Sequence, residues 1–280
     1  NVGKSTLMNA LVGEKLSIIT SKAQTTRHRI MGIVSGEDFQ IVYSDTPGIL
    51  KPSYKLQESM MKFVTGALTD ADVILYVTDT VEQSERSAEI VDSIRRSGIP
   101  TVVVINKIDL STPEALEALV DKWQAEIPGA QVVPTSAKEN FNIEGLFRTI
   151  LSLLPEGPAF YPKDTLTDKT LRFFASEIIR EKILKFYDKE IPYCCEIEIE
   201  SYKEEPTIDR IAATIYVARD SQKGILIGHK GEKLKRVGQT AREDMEQFLG
   251  KKVFLQLFVK VSDDWRNNER QLRRFGYEQE

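Results

Sequence analysis

The sequence contains no run of 18 or more apolar residues, so it predicts no helix that could span a lipid bilayer. It shows no recognisable signal peptide, although it begins inside a motif. Cysteine is scarce: Cys194 and Cys195 are neighbours, and neither has a metal-ligand partner at a useful spacing. Adjacent cysteines rarely form a disulfide, so we expect a reduced pair on a strand of a cytosolic protein.

Positive charge is in slight deficit: the chain has 38 Lys and Arg and 42 Asp and Glu, which gives a net charge of −4. At first sight this argues against a nucleic-acid partner. The basic residues are unevenly distributed, however: residues 223–274 hold 13 Lys or Arg and 7 Asp or Glu, a local net charge of +6. Binding to a polyanion depends on nearby charge, so this segment could serve it.

The chain of 280 residues is too long for one typical α/β core and suits two domains. Residues 1–155 alternate β-branched runs with amphipathic stretches, which is typical of an α/β domain with a mostly parallel sheet flanked by helices. Residues 156–166 are rich in proline and glycine and predict a linker. Residues 167–280 predict the order α-β-β-α-α-β of a small α+β domain.

Polar motif residues stand at the ends of the predicted strands. In the first region, strands are expected over 39–44, 71–78, 101–105 and 131–135, and they end at Asp45, Asp79, Asn106 and Ser136. Open α/β sheets bind ligands at the carboxyl ends of their strands, so the motif residues Asp45, Asn106 and Ser136 stand where a ligand is expected. The remaining predicted elements are helices over 84–97, 113–126 (capped by Thr112), 168–190 and 230–248, and strands over 194–201, 210–218 and 253–261.

The sequence opens with the second half of the phosphate-loop pattern G-x-x-x-x-G-K-[ST], and the first strand and the first glycine would precede Asn1. In such loops, backbone N–H groups at a helix N-terminus surround the phosphates. Lys4 would reach the β- and γ-phosphates as a catalytic residue, and the Ser5 hydroxyl would bind Mg²⁺. The residues predicted to bind nucleotide here are Asn1, Val2, Gly3, Lys4, Ser5 and Thr6.

A second motif, Asp-Thr-Pro-Gly, follows the predicted strand over 39–44. The Asp45 carboxylate could hold Mg²⁺ through water, and the Gly48 N–H could meet the γ-phosphate. Taken alone, Asp-x-x-Gly is more often a simple turn. Its place after a buried strand, 40 residues beyond Ser5, is what favours the nucleotide-site interpretation.

Two further motifs predict that the base is guanine. Asp109, in Asn-Lys-Ile-Asp, could accept hydrogen bonds from the guanine N1–H and exocyclic amine, a pair that adenine does not offer. The Lys107 stem could cover the base, and Asn106 could brace the loop. Ser136, Ala137 and Lys138 follow the last strand, and their backbone could reach the guanine carbonyl. The four motifs in this order predict GTP or GDP with Mg²⁺ as the bound ligands.

The segment between the phosphate loop and Asp45 predicts a nucleotide-sensing threonine. GTPases keep there a threonine that binds Mg²⁺ only when the γ-phosphate is present. We favour Thr26 over Thr25 for this metal-binding and catalytic role. We interpret His28 as a loop or RNA-facing residue. Ile49 follows Gly48, where Ras-like enzymes carry a glutamine that positions water, so we expect slow unaided hydrolysis.

A glycine loop between an apolar run and a basic helix marks a candidate RNA site. Gly-x-x-Gly in this setting is the signature of a KH domain, whose loop clamps about four nucleotides by their backbone. Glycines allow the sugar-phosphate chain to approach closely, and the cations that follow attract phosphate. The predicted RNA-binding residues are Ile227, Gly228, His229, Lys230, Gly231, Lys233, Lys235 and Arg236.

Over essentially its whole length the chain resembles the Era family of GTPases. The resemblance is carried by the motifs above, by residues 22–29, and by Asp264-Trp265-Arg266 near the end. It implies a type II KH domain, GTP hydrolysis, binding to the 3′ end of small-subunit ribosomal RNA, and a role in 30S subunit maturation. It also implies a cytoplasmic protein, in part peripheral on the inner membrane, or an organellar one in a eukaryote. We expect a monomer and no DNA partner.

Two alternatives stay open from the sequence. The chain could be an RNA-docking module in which the nucleotide is structural and turnover is negligible, and Ile49 gives this reading some support. It could also be a related GTPase with another substrate, such as a tRNA-modifying partner or a tandem-domain ribosome GTPase. The single nucleotide motif set and the Gly-His-Lys-Gly loop argue against that second alternative.

Overall fold

The computed structural model describes residues 2–81 and 88–277, and within these the chain divides into two compact units. The first consists of Asn1–Ser17, Arg29–Asp45 and Thr65–Asp168, and the second of Ile18–His28, Thr46–Val64 and Lys169–Glu280. The helices are α1 (Lys4–Val12), α2 (Lys55–Thr69), α3 (Ala88–Ser97), α4 (Pro113–Glu126), α5 (Ile143–Leu153), α6 (Leu171–Phe186), α7 (Ile191–Cys194), α8 (Asp220–Ile227), α9 (Glu232–Leu249) and α10 (Glu269–Arg274). The strands are β1 (Ile30–Ser35), β2 (Gln40–Asp45), β3 (Ile74–Asp79), β4 (Thr101–Asn106), β5 (Gln131–Pro134), β6 (Glu196–Glu204), β7 (Ile208–Val217) and β8 (Lys252–Val261).

The first unit contains a parallel sheet in the order β3-β4-β5 and an antiparallel pair, β1-β2. Every residue of β4 is buried, which fits a central strand of β-branched residues covered on both faces. The core on this sheet includes Ile74, Val103, Ile105 and Trp123. Asp79 pairs in register with Asn106, so the ends of β3 and β4 lie side by side.

The second unit contains a mixed sheet in the order β6-β7-β8, with β6 antiparallel and β8 parallel to β7. Helices α6 and α9 pack on it around a core that includes Ile179, Ile183, Val237 and Ala241. The predicted α-β-β-α-α-β order is therefore confirmed, with α6, β6, β7, α8, α9 and β8 as its members.

A smaller core in the second unit brings the chain end onto α2. Trp265 is completely buried, packs with Leu56, Met60 and Phe63, and donates its indole N–H to the Cys194 carbonyl at 2.9 Å. The Asp264-Trp265-Arg266 stretch that carried part of the family resemblance thus has a packing role at its centre.

Several predicted boundaries differ from the observed ones. The strand predicted over 71–78 begins only at Ile74, and the helix predicted over 168–190 is the shorter α6, which Thr170 caps by accepting from the Phe173 N–H. Cys194 lies in the short helix α7 rather than on a strand, because Pro192 suits a helical first turn; both cysteines are buried thiols. The first residues of the helix predicted over 84–97 lie outside the described residues, and the rest is α3.

The predicted linker, residues 156–166, packs along the first antiparallel strand pair. The Ile33 N–H donates to the Leu166 carbonyl at 2.8 Å, and the Gln40 side-chain oxygen accepts from the N–H groups of Phe160 and Tyr161. Strand β1 was not predicted, and its glycine and serine explain why its alternation was weak. None of the helices in the described ranges combines the length and apolar character that crossing a membrane requires.

Candidate nucleotide site and nucleic-acid interface

The phosphate loop ends at the N-terminus of α1, where Gly3 adopts a left-handed conformation with φ 92°. A Cβ at this position would lie 2.4 Å from the Asn106 amide nitrogen, so only glycine fits the close approach of the two loops. The helical pattern starts with the Leu7 N–H donating to the Gly3 carbonyl at 2.9 Å. The amides of Lys4, Ser5 and Thr6 precede that bond and are of the kind that binds phosphate.

Asn106 connects the phosphate loop to the last motif of the unit. Its side-chain amide donates to the Val2 carbonyl at 2.9 Å, and its side-chain oxygen accepts from the Ala137 N–H at 3.0 Å. The side chain is buried, so both bonds are shielded from water. The predicted bracing role of Asn106 is therefore visible in the geometry, whereas Asn1 lies outside the described residues.

The carboxylate predicted to read the base is held in place by a serine. The Ser136 hydroxyl, which is buried, donates to Asp109 Oδ1 at 2.6 Å, and Asp109 itself is exposed. Ser136 also accepts from the Glu139 N–H at 3.2 Å, so the hydroxyl orients both the carboxylate and its own loop. Lys138 is exposed and lies 2.9 Å from Glu139, which raises the pKa of that lysine.

Asp79 is a site residue that was predicted only as a strand end. Its buried carboxylate lies 2.6 Å from Lys107 Nζ, and Lys107 adopts a left-handed conformation with φ 62°. The ion pair fixes the stem that would cover the base. An acidic residue at the end of a strand adjacent to the Asn-Lys-Ile-Asp strand was the signal in the sequence that could have identified it.

The two predicted metal-binding residues of the first unit touch each other. Ser5 Oγ donates to Asp45 Oδ2 at 2.7 Å, and the Asp45 carboxylate is buried at the end of β2. A hydroxyl and a carboxylate form an oxygen-only donor pair, which is the ligand type that Mg²⁺ takes in proteins. The residues present therefore fit the ion.

The glycine loop of the second unit has a shape that depends on glycine. Gly228 has φ 73° and ψ 178°, a region that is essentially restricted to glycine, and a Cβ there would lie 2.7 Å from the Lys233 side chain. Gly231 has φ 79° and precedes α9. Lys230 adopts φ 49°, so the tip of the loop is tightly curved.

Exposed cations continue from this loop onto α9. All five basic side chains predicted for RNA binding are exposed: His229, Lys230, Lys233, Lys235 and Arg236. The Arg236 guanidinium lies 4.3 Å from the Phe186 ring centroid, and Lys233 Nζ lies 5.8 Å from that of Tyr187. These contacts orient the stems without neutralising the charges.

Comparison with known proteins now identifies the family. The family model "50S ribosome-binding GTPase" matches residues 1–107, and the "KH domain" model matches residues 190–266. GTPase Era of Alkaliphilus metalliredigens is 44% identical over 281 residues, with 99% of this chain and 95% of that protein covered. The chain belongs to the Era family of GTPases. GTPase Era of Staphylococcus haemolyticus is also 44% identical, over 99% of this chain and 93% of its own length.

Two solved Era structures resemble this chain over its full length. One is Era in complex with MgGDPNP and nucleotides 1506–1542 of 16S ribosomal RNA, and the other is a variant of Aquifex aeolicus Era bound to GDP and AlF4⁻. Each has a TM-score of 0.95 and 40% sequence identity, and covers 100% of this chain and 96% of its own. The predicted family and the predicted fold, a P-loop GTPase domain followed by a KH domain, are confirmed.

In this member of the Era family, the segment that holds the predicted sensing threonine is grouped with the KH fold in the second unit. The Thr25 hydroxyl donates to the Lys22 carbonyl at 2.7 Å and lies 2.7 Å from Thr20 Oγ1. Thr26 is buried, and Gly48, which belongs to the same unit, precedes an exposed Ile49. The metal and catalytic roles of Thr26 and Gly48 stay predictions.

The two residues after Thr26 are inserted into the core of the second unit. Arg27 is almost completely buried, lies 3.1 Å from Glu196, and donates to the Cys195 and Pro192 carbonyls at 2.8 and 3.1 Å. Burial alone would lower the pKa of this arginine, but Tyr277 and Glu196 raise it above its ordinary value. The guanidinium therefore stays charged and ties the segment to β6.

His28 lies in a loop, as interpreted, but its ring packs among aromatic rings, a contact that the sequence did not predict. It stacks on Tyr277 with ring centroids 4.3 Å apart and meets the edge of Phe173 at 5.6 Å. Burial, followed by the Arg180 charge, lowers its pKa to about 3. The sequence around His28 is polar and gives no sign of this packing, because the rings that contact it come from distant parts of the chain.

Proposed function

We propose that this Era-family GTPase binds GTP with Mg²⁺, hydrolyses it to GDP and phosphate, and binds the 3′ end of small-subunit ribosomal RNA through the Gly228 loop during 30S subunit assembly. The observation that carries the proposal is the Asp109 carboxylate, which Ser136 orients on a loop that Asn106 ties to the phosphate loop. The Era structure with MgGDPNP and 16S ribosomal RNA supports the choice of ligands.

Guanine selectivity follows from the donor pattern of the base. Asp109 offers carboxylate oxygens to the N1–H and the exocyclic amine, and one of these oxygens already accepts from Ser136. An adenine at the same place would offer the carboxylate neither of these donors, which is strongly unfavourable in a fitted site. Lys107, fixed by Asp79, would cover the base with its apolar stem.

Phosphate binding and hydrolysis would use the start of α1 and the end of β2. Lys4 and the first amides of α1 would hold the β- and γ-phosphates, while Ser5 and Asp45 would hold Mg²⁺, which neutralises charge that develops on the phosphates. Gly48 would donate its N–H to the γ-phosphate. Ile49 has no polar atom to orient water, so slow intrinsic turnover follows unless a partner or the backbone supplies that role.

RNA binding would combine close backbone approach with charge. The conformation of the Gly228 loop lets a sugar-phosphate chain lie against the backbone, and the exposed cations of α9 flank it. Single-stranded RNA is the expected form, because KH domains take unstacked bases. The net charge of the whole chain is negative, so this interaction relies on the local basic segment.

Coupling between the two ligands would run through residues 18–28. Thr26, proposed to bind Mg²⁺ when the γ-phosphate is present, is followed at once by Arg27 and His28, which are packed with β6 and Tyr277. A change at Thr26 would therefore strain contacts of the unit that carries the RNA loop. A cytoplasmic location, peripheral membrane association and a monomeric state stay predictions from the family resemblance.

A phosphate-release assay tests the proposal against a docking module with structural nucleotide. Purified protein should release phosphate from GTP and not from ATP, and an RNA oligonucleotide with the 3′-end sequence of small-subunit rRNA should bind and change the rate. Equal turnover of ATP and GTP would remove the base-reading role of Asp109. Absence of turnover with and without RNA would favour the docking module.

A further inference from the structure

The Asp45 carboxylate has a second hydroxyl partner that no motif contains. Ser17 Oγ donates to Asp45 Oδ2 at 2.8 Å, and the same oxygen accepts from Ser5 Oγ at 2.7 Å. Ser17 is 1% exposed and Asp45 is 4% exposed. The carboxylate oxygen therefore accepts hydrogen bonds from two different segments: Ser5 lies in the first turn of α1, and Ser17 follows the end of that helix.

Asn9 fixes Ser17 to the helix that carries the phosphate loop. The Asn9 side-chain oxygen accepts from the N–H groups of Leu16 and Ser17 at 3.0 and 2.9 Å, and its amide donates to the Ser17 carbonyl at 2.8 Å. Asn9 lies one turn beyond Ser5 on α1. Ser5 is thus part of α1, and Ser17 is tied to α1 through two hydrogen bonds of its own and one of its neighbour Leu16.

From this geometry we propose that Asn9 and Ser17 are positioning residues for the magnesium-binding carboxylate. They would set the orientation of Asp45 before nucleotide arrives, so that the carboxylate and the Ser5 hydroxyl are already aligned for the ion. Groups that hydrogen-bond to metal ligands orient them, and their loss typically lowers metal affinity by about 10- to 100-fold. The proposal rests on the proposed function, since it presumes that Asp45 serves Mg²⁺.

A purely structural role for Ser17 is the competing interpretation. A serine hydroxyl in a structural role most often bonds to a nearby backbone carbonyl, as that of the half-buried Ser176 does to Phe173 at 2.7 Å. Ser17 instead bonds to a buried carboxylate 28 residues away in the sequence, the one that ends β2 and begins the Asp-x-x-Gly motif. The two interpretations differ in whether the loss of the hydroxyl changes only stability or also changes the response to Mg²⁺.

The test measures release of a fluorescent GDP analogue from the full chain across a Mg²⁺ titration, with EDTA as the metal-free point. In Ser17→Ala, the Mg²⁺ concentration that half-maximally slows release should rise about tenfold or more, while release in EDTA stays close to wild type. Ser17→Thr keeps the hydroxyl and should restore the wild-type midpoint. Ser176→Ala, which removes a hydroxyl bonded to a backbone carbonyl, is the matched control and should leave it unchanged.

Asn9→Ala provides the second variant, and it should shift the Mg²⁺ midpoint in the same direction as Ser17→Ala. Thermal unfolding in EDTA shows whether each variant is folded at the assay temperature. A Ser17→Ala midpoint equal to wild type overturns the inference. So does an equal acceleration of release with and without Mg²⁺, which a structural role would produce. If the wild-type chain does not retain GDP at all, the proposed function itself fails, and that result is distinguishable from the other two.

Discussion

In the nucleotide site of the first unit, Asn106 bonds to two loops at once, and Ser136 and Asp79 hold the side chains that would meet the base. At the Gly228 loop of the second unit, glycine dihedrals define the shape of the backbone, and the five basic side chains predicted to bind RNA are exposed. The first site is fixed by side-chain hydrogen bonds between loops. The second is shaped mainly by backbone conformation, and aromatic rings orient two of its basic side chains.

This difference matches the ligands proposed for the two sites. A small base with one pattern of donors binds tightly to a carboxylate placed to accept from both, because a polar group buried without a partner costs binding free energy. A flexible polymer binds to a loop that it can approach closely and that carries nearby positive charge, because its affinity comes from many phosphate contacts. We therefore expect single substitutions to act on selectivity in the first unit and on overall affinity in the second.

The largest expected effect is that of Asp109→Asn. The amide cannot accept from both guanine donors, so GTP affinity should fall by a factor of about 10² to 10⁴ and preference should move toward xanthine nucleotides. Competition binding with GTP, ATP and XTP measures this. Asp121→Asn makes the same chemical change on the exposed face of α4 and should bind GTP like wild type. Full GTP affinity in Asp109→Asn would show that this carboxylate does not select the base.

The next largest effect is expected from Gly228→Asp. A side chain at φ 73° and ψ 178° costs about 1–3 kcal/mol, and its Cβ meets the Lys233 stem, so the loop should rearrange. RNA affinity should fall about 10- to 100-fold with GTP binding intact. Gly224→Asp adds the same charge on α8, where a Cβ meets nothing within 4 Å. If both variants lose RNA equally, charge rather than loop shape is responsible.

The nucleotide motifs could be predicted because their chemistry is local and ordered along the chain. Each required a few residue types at a strand end, and the structure brings Asn106, Asp109 and Ser136 together as their order implied. Gly228 was recognisable for the same reason. These residues act through backbone geometry or direct contact with a ligand, and both leave a short sequence signature.

The pairings of the supporting residues could not be predicted, because their partners are distant in sequence. Only Asp79, at the end of a strand beside the Asn-Lys-Ile-Asp strand, stood at a position that could have identified it. Asp79 pairs with Lys107 across neighbouring strands, Ser17 with Asp45, and His28 with Tyr277, which is close to the other end of the chain. No local pattern signals such pairs, since a serine or histidine in a polar stretch is usually exposed. The strand β1 was missed for a related reason: only its pairing with β2 defines it.

A smaller effect is expected on the pH dependence of stability, through the closely packed ring of His28 in the second unit. His28 has its pKa lowered to about 3, so the folded chain holds the ring neutral while the unfolded chain gains a proton below about pH 6.5. The unfolded state then binds more protons, and the free energy of unfolding should fall by up to about 1.4 kcal/mol per pH unit as pH drops from 6.5 toward 3.

Denaturant unfolding at pH 7.5, 5.5 and 4.5 checks this expectation. His28→Phe keeps the stacking on Tyr277 and removes the titrating nitrogen, so its stability should decline less with acid than that of wild type. The contributions of carboxylates are common to both proteins and cancel in the difference. His229→Phe changes the exposed histidine of the glycine loop and serves as the matched control. Parallel pH profiles for wild type and His28→Phe would show that the aromatic pocket does not exclude the charged ring.

The smallest effect is expected from single basic side chains on α9. If the exposed cations act through charge alone, Lys235→Ala should weaken RNA binding a few-fold for every sequence tested and reduce the slope of log affinity against log salt by about one. The substitution should not change GTP affinity or its salt dependence to a comparable extent, because Lys235 lies on α9 and is not among the residues proposed to bind the nucleotide. Titrations of both ligands between 50 and 300 mM KCl, roughly the range over which such slopes are resolved, measure the two slopes side by side. A Lys235→Ala loss confined to one RNA sequence would mean that this lysine reads a base, and the second site would then be fitted in the same sense as the first.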